Sequence, residues 1–213
     1  MYSLARANKF IETWWGNVRV AVLCGISASL DDYLLAANKK AEEAGHVSFI
    51  LLPDDIYCAR AWGAMASYAA RQELDDSMLD MDEVIDMWLL GEKFDYPAFQ
   101  DRAMLELLWW VSVERATQDD IVKVFENSPP NSKIRNLMAK EVCRLSTTLE
   151  PSSWRHFERF DGFLVDYFVA NKRIAGQDQK TLLRRSGGAW EEFMVEHTLR
   201  QDVREYAEQL FES

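Results

Sequence analysis

Helix breakers are scarce in this chain: its 213 residues hold five prolines and nine glycines. Between them, apolar residues recur three or four positions apart, the spacing that lays one stripe of a helix against a core. A chain punctuated this way favours long helices over many short strands. Hydrophobic residues make up 48% of it, aromatics 12% and charged residues 28%, which supplies a buried core and argues against wholesale disorder. The length fits one domain of ordinary size, or a compact domain with a helical extension.

Two segments nonetheless read as strands. Residues 18–22 alternate apolar and other side chains, and residues 47–52 form a short apolar run that Pro53 stops. Helices fill most of the remainder. Ser29 is placed to cap a helix with Leu30, Leu34 and Ala37 on one side, ended by Gly45. Asp54-Asp55 opens the next, through about Ala70. Asp82 is expected to cap a helix bearing Val84, Ile85 and Trp88, and Pro97 to start another with Phe99, Ala103, Leu107 and Val111 on one stripe. A short helix follows from Thr117, carries Ile121, Val122 and Phe125, and stops at Ser128-Pro129-Pro130. Ile134, Leu137, Met138, Leu145 and Leu149 share the face of the next, which Pro151 closes. Residues 154–169 read as one amphipathic stretch with Phe157, Phe160, Leu164 and Phe168 as its apolar side. Residues 171–188 are polar and basic, as a linker is, and residues 189–213 form a terminal helix with Trp190, Met194, His197 and Leu210.

Charge and cysteine usage exclude several function classes. The formal net charge is -11, and a protein that neutralises phosphates with Lys and Arg would carry the opposite sign, so neither nucleic acid nor an anionic membrane is an expected partner. Much of the acidity lies between Glu73 and Asp101; it reads first as a solvated face, and as steering for a basic partner in the alternative. Cys24, Cys58 and Cys143 are odd in number and far apart, the usage of a reducing compartment, so a cytoplasmic or nuclear address is expected. With His46, His156 and His197 equally dispersed, no metal site and no cofactor are expected. Residues 20–26 are short for a signal segment, and no run approaches the roughly 20 apolar residues of a membrane helix.

Catalytic patterns are missing as well. The glycines do not take the spacing of a phosphate-binding loop. Asp54 and Asp55, as neighbours on a helix, point in different directions and read as dipole partners of that helix's first turn. Cys24 lies in an apolar segment without an orienting partner and reads as packing. The expectation is therefore a non-enzyme with no catalytic residue; a small hydrolase with an Asp/Cys/His site is the distant rival. Two tryptophan pairs stand out, Trp14-Trp15 and Trp109-Trp110. Neighbours on a helix cannot both face one core, so one of each pair is expected to be partly exposed. Coverage by the C-terminal helices is the plainer reading, and a partner interface at these four residues the alternative.

A family pattern ties some of these pieces together. Leu90-Gly91-Glu92-Lys93-Phe94-Asp95 with Tyr96-Pro97-Ala98-Phe99, then Val124-Phe125-Glu126-Asn127-Ser128-Pro129 and Ile134-Arg135, resemble in order and spacing the distal L-A-D-K-Y-D, V-Y-x-x-T-P and L-R pieces of fungal BTB/POZ proteins. Upstream, Val22-Leu23-Cys24 followed by Ser27 is similar to that family's V-L-C-x-x-S, Glu42-Glu43-Ala44 to its F-x-E-A, and Ile50-Leu51-Leu52-Pro53-Asp54-Asp55 to its I-x-L-P-D-D. Arg19 stands where the family has histidine, Ala70-Arg71-Gln72 replaces its Y-T-G after Tyr68, and its first strand is not recognisable within residues 1–17. The resemblance implies an α/β, mostly α, fold: a BTB/POZ-like core with a small sheet over residues 1–112, N-terminally truncated or diverged, and a helical extension over 113–170. It implies a protein-protein interaction module, homodimeric or paired with a BTB-type partner, and an adaptor for a cullin-type ubiquitin ligase. Recruitment of corepressors to a transcriptional regulator is the alternative.

Overall fold

The computed structural model describes residues 11–12, 19–20, 28–43, 59–71, 74, 79–146, 149, 151–174, 190–196 and 201–211. These residues are nearly all helical, and the expected α/β core with a small sheet is not what they form. Extended pairing among them is limited to β1 (Ile11–Glu12) and β2 (Arg19–Val20), antiparallel with Ile11 opposite Val20. Two residues a side bury no sheet face, so the helices must build the core themselves. The strand expected at residues 47–52 lies outside the described residues.

The helices are α1 (Ala28–Glu43), α2 (Ala59–Arg71), α3 (Met81–Lys93), α4 (Pro97–Val113), α5 (Gln118–Asn127), α6 (Lys133–Leu145), α7 (Pro151–Phe157), α8 (Phe163–Ile174) and α9 (Gln201–Phe211). By contact the chain divides into two compact units, residues 1–100 and 101–213, and the division falls inside α4.

In the first unit α2 packs on α3. Asp80, and not Asp82, caps α3: its carboxylate accepts from the Glu83 backbone N–H at 2.8 Å, and the Glu83 carboxylate reaches back to the Asp80 N–H at 3.2 Å. That reciprocal box satisfies two donors that the first helical turn leaves open. Glu83 also holds the Arg60 guanidinium of α2 with both oxygens at 2.9 Å. Trp62, Tyr68, Ile85, Trp88, Phe94 and Phe99 are fully buried or nearly so. Gly91 lets the start of α4 approach closely, because a Cβ there would meet Gln100 Cγ at 2.7 Å.

The second unit is organised around α6, which packs against α5 and α8. Thr117 caps α5 through a box with Asp120, and Ser132 caps α6. Ile134, Leu137, Met138 and Val142 of α6 are completely buried. Arg135 is buried among them and donates at 2.6 Å to the Phe125 carbonyl and at 2.6 Å to the Asp161 carbonyl. One guanidinium thus closes the open C-terminal end of α5 and fixes the turn before α8. The apolar stretch expected to run unbroken over residues 154–169 is two helices. Pro151 opens α7 at a first-turn position, and α8 starts after a turn at Gly162, whose φ is +75°.

Candidate interaction surface

The turn before α8 decides which side of that helix meets the core. Phe163, Asp166 and Ala170 are buried, as spacings of three and four require of one face. Leu164 and Phe168, read from sequence as part of the apolar side facing inward, point outward. So do Val165 and Val169, and the four are exposed by 46%, 62%, 60% and 45% respectively. Positions 164, 165, 168 and 169 are contiguous on a helix, so they form one stripe. Side chains of this size add up to a patch on the order of 400 Å², in the range of the largest apolar patches on monomeric surfaces, which are often functional.

Trp109 and Trp110, near the end of α4, sit edge to face with centroids 5.1 Å apart. Trp109 is exposed and Trp110 half-buried, and Val113, one turn on, is exposed by 61%. Trp14 and Trp15 lie outside the described residues. The α8 stripe was the surface that sequence reading missed. Its residues looked like core because helical spacing says that a face exists, not which way it turns.

Cys143 is buried, donates to the Tyr167 carbonyl at 3.7 Å, and burial pushes its thiol up to about 11, which disfavours the thiolate a nucleophile needs. His156 is half-buried beside Arg159 (3.0 Å) and against the Phe160 ring. Cys24, Cys58, His46, His197, Asp54 and Asp55 lie outside the described residues. Among those described, no group of His, Cys, Asp and Glu is arranged to hold a metal ion, and no helix is long and apolar enough to cross a membrane.

The acidic segment from Glu73 to Asp101 is not uniformly a solvated face, since Asp86 and Asp101 are buried. Asp101 caps a turn instead: its carboxylate accepts the backbone N–H groups of Val195 and Glu196, the latter at 3.1 Å. Burial lifts its pKa from 3.8 to about 6, although both amides and Lys133 pull the other way. One turn further along α4, the Glu106 carboxylate accepts from Arg102 and from the Tyr206 hydroxyl of α9 at 2.6 Å, while the Arg102 guanidinium lies 3.3 Å from the centre of the Tyr206 ring. Burial, with the Glu106 carboxylate beside it, raises the Tyr206 phenol well above its ordinary value, so this hydroxyl stays a donor.

Comparison of the chain with protein-family models, with curated proteins and with solved structures finds no match.

Proposed function

We propose that this chain is a non-enzymatic protein-binding module that docks its partner on the outward face of α8. The observation that carries the reading is the stripe of Leu164, Val165, Phe168 and Val169, set on a helix whose opposite face is anchored in a core. Exposing four large apolar side chains side by side is costly in water, and covering them removes that cost. A rigid helix with anchors at i, i+1, i+4 and i+5 suits a complementary groove or helix on another protein. Trp109, exposed on α4, is a separate candidate contact of a residue type enriched at binding hot spots. The resemblance of residues 84–144 to BTB/POZ proteins agrees with this role, and it makes a second copy of the chain, a BTB-type protein or a cullin-type scaffold the first partners to try.

The test is a paired affinity purification from cell extract, using wild-type protein and the double variant Val165→Asp/Phe168→Asp. Both positions are exposed, so the variant should melt within a few degrees of wild type. Specific partners should be lost from the variant at least ten-fold, and a self-associating wild type should become monomeric in sedimentation. An unchanged set of partners and an unchanged mass, with the variant folded, would overturn the reading.

A further inference from the structure

Residues 190–196 lie in the second unit as a short strap outside any α-helix. They make one 3-10 turn, Glu191–Phe193, with Phe193 N–H donating to the Trp190 carbonyl and Met194 N–H to the Glu191 carbonyl, both at 3.1 Å. What holds the strap to the body is a set of contacts of the kind by which proteins read peptides. Phe193 and Met194 are 1% and 3% exposed. Lys140 of α6 pairs with the Glu192 carboxylate, and its ammonium lies 4.3 Å from the centre of the Phe193 ring. Lys133, seven residues earlier and so on the same face of α6, donates to the Glu192 carbonyl at 2.6 Å. Both oxygens of Asp101 close the far end on the Val195 and Glu196 amides.

We infer that the surface formed by Asp101, Lys133 and Lys140 is a peptide-recognition site, occupied in cis by the strap, for a partner segment carrying two acids followed by Phe and Met. Each component has a separate task. The apolar pair supplies burial, Lys140 selects a carboxylate before an aromatic ring, and Asp101 accepts two successive free amides. A proline at either of the last two positions could not donate to Asp101 and would be rejected. The anchors are one aromatic and one thioether side chain, and the rest are charges that water can solvate when the strap leaves. A tethered segment competes at an effective concentration on the order of millimolar, so an external ligand binds weakly until the strap is displaced or damaged. The site uses none of the α8 stripe, and it stands or falls independently of the docking face proposed above.

A fluorescent synthetic peptide of residues 188–198 tests the inference by anisotropy against the full-length chain. With the strap weakened by Phe193→Ala, the peptide should bind at least ten-fold more tightly than to wild type. Adding Lys140→Met, which keeps the stem but removes the charge, should reverse that gain. Should Phe193→Ala fail to fold by circular dichroism, Glu192→Ala replaces it, because that side chain is 39% exposed and its loss removes the pairing with Lys140 while sparing the apolar anchors. The absence of peptide binding to a folded strap variant would overturn the site. So would equal binding with and without Lys140.

Discussion

Asp101 is a carboxylate that folding makes harder to ionise. Its value in the fold, about 6, lies above the ordinary 3.8, with burial as the main cause. A raised value means that the folded state holds the proton more firmly than the unfolded chain. The stabilisation from that proton is therefore fully present below about pH 4 and is lost as pH rises through about 6. The other charges facing this group are Lys133, which favours the anion, and Glu196, which opposes it. Between pH 7 and pH 4.5 the wild-type urea midpoint should rise relative to that of Asp101→Asn, which cannot titrate. Parallel curves for the two proteins across that window would contradict the assignment. The Glu106 site gives a second residue-scale expectation. Tyr206→Phe removes one donor from a buried carboxylate that keeps Arg102, and should cost about 1–2 kcal/mol in urea unfolding at pH 7.

At the scale of elements, stability rests on caps and turns that single substitutions can reach. Asp80→Ala should cost about 1 kcal/mol by removing the box at the start of α3, while Asp82→Ala, exposed in the first turn, should cost a few tenths. Glycine positions should split in sign. Gly162→Ala places a Cβ 3.1 Å from Pro130 at a φ of +75° and should destabilise by about 1–2 kcal/mol. Gly63→Ala, inside α2 with no other atom within 4 Å of the new Cβ, should stabilise by about 0.5–1 kcal/mol. The helices at Pro97 and Thr117 were legible in the sequence because proline at a first turn and threonine three residues before an acid act locally. The cap of α3 was misplaced by two residues, since Asp80 and Asp82 both precede an apolar run and only Asp80 has an acid at the third position beyond it. Residues 154–169 failed for a different reason. The break depends on a glycine in a left-handed conformation and on Arg135 reaching across from α6, and spacing carries no trace of such a contact. Of the strand expected over residues 18–22, Arg19 and Val20 are described, and they pair with Glu12 and Ile11; residues 18, 21 and 22 lie outside the described residues. The buried polar pairs of α4, at Asp101 and Glu106, were invisible because their partners Glu196 and Tyr206 lie about a hundred residues away.

For the molecule as a whole, the division inside α4 explains why composition marks no boundary near residue 100, since an unbroken helix needs no glycine, proline or polar linker. Exposed and buried charge also play different parts here. The formal net charge of -11 is a property of the whole sequence, whereas Asp101, Glu106 and Arg135 are interior groups that tie particular segments together. A short segment outside the helices, held by a few polar contacts, is of the kind that opens locally before the fold unfolds globally. The amides of Val195 and Glu196 lie outside every helix, and yet a buried carboxylate covers them. In deuterium they should form an isolated pair of slow exchangers at the end of the strap. Their exchange rate would follow the strap's own opening, and a urea concentration too low to unfold α6 should leave it almost unchanged.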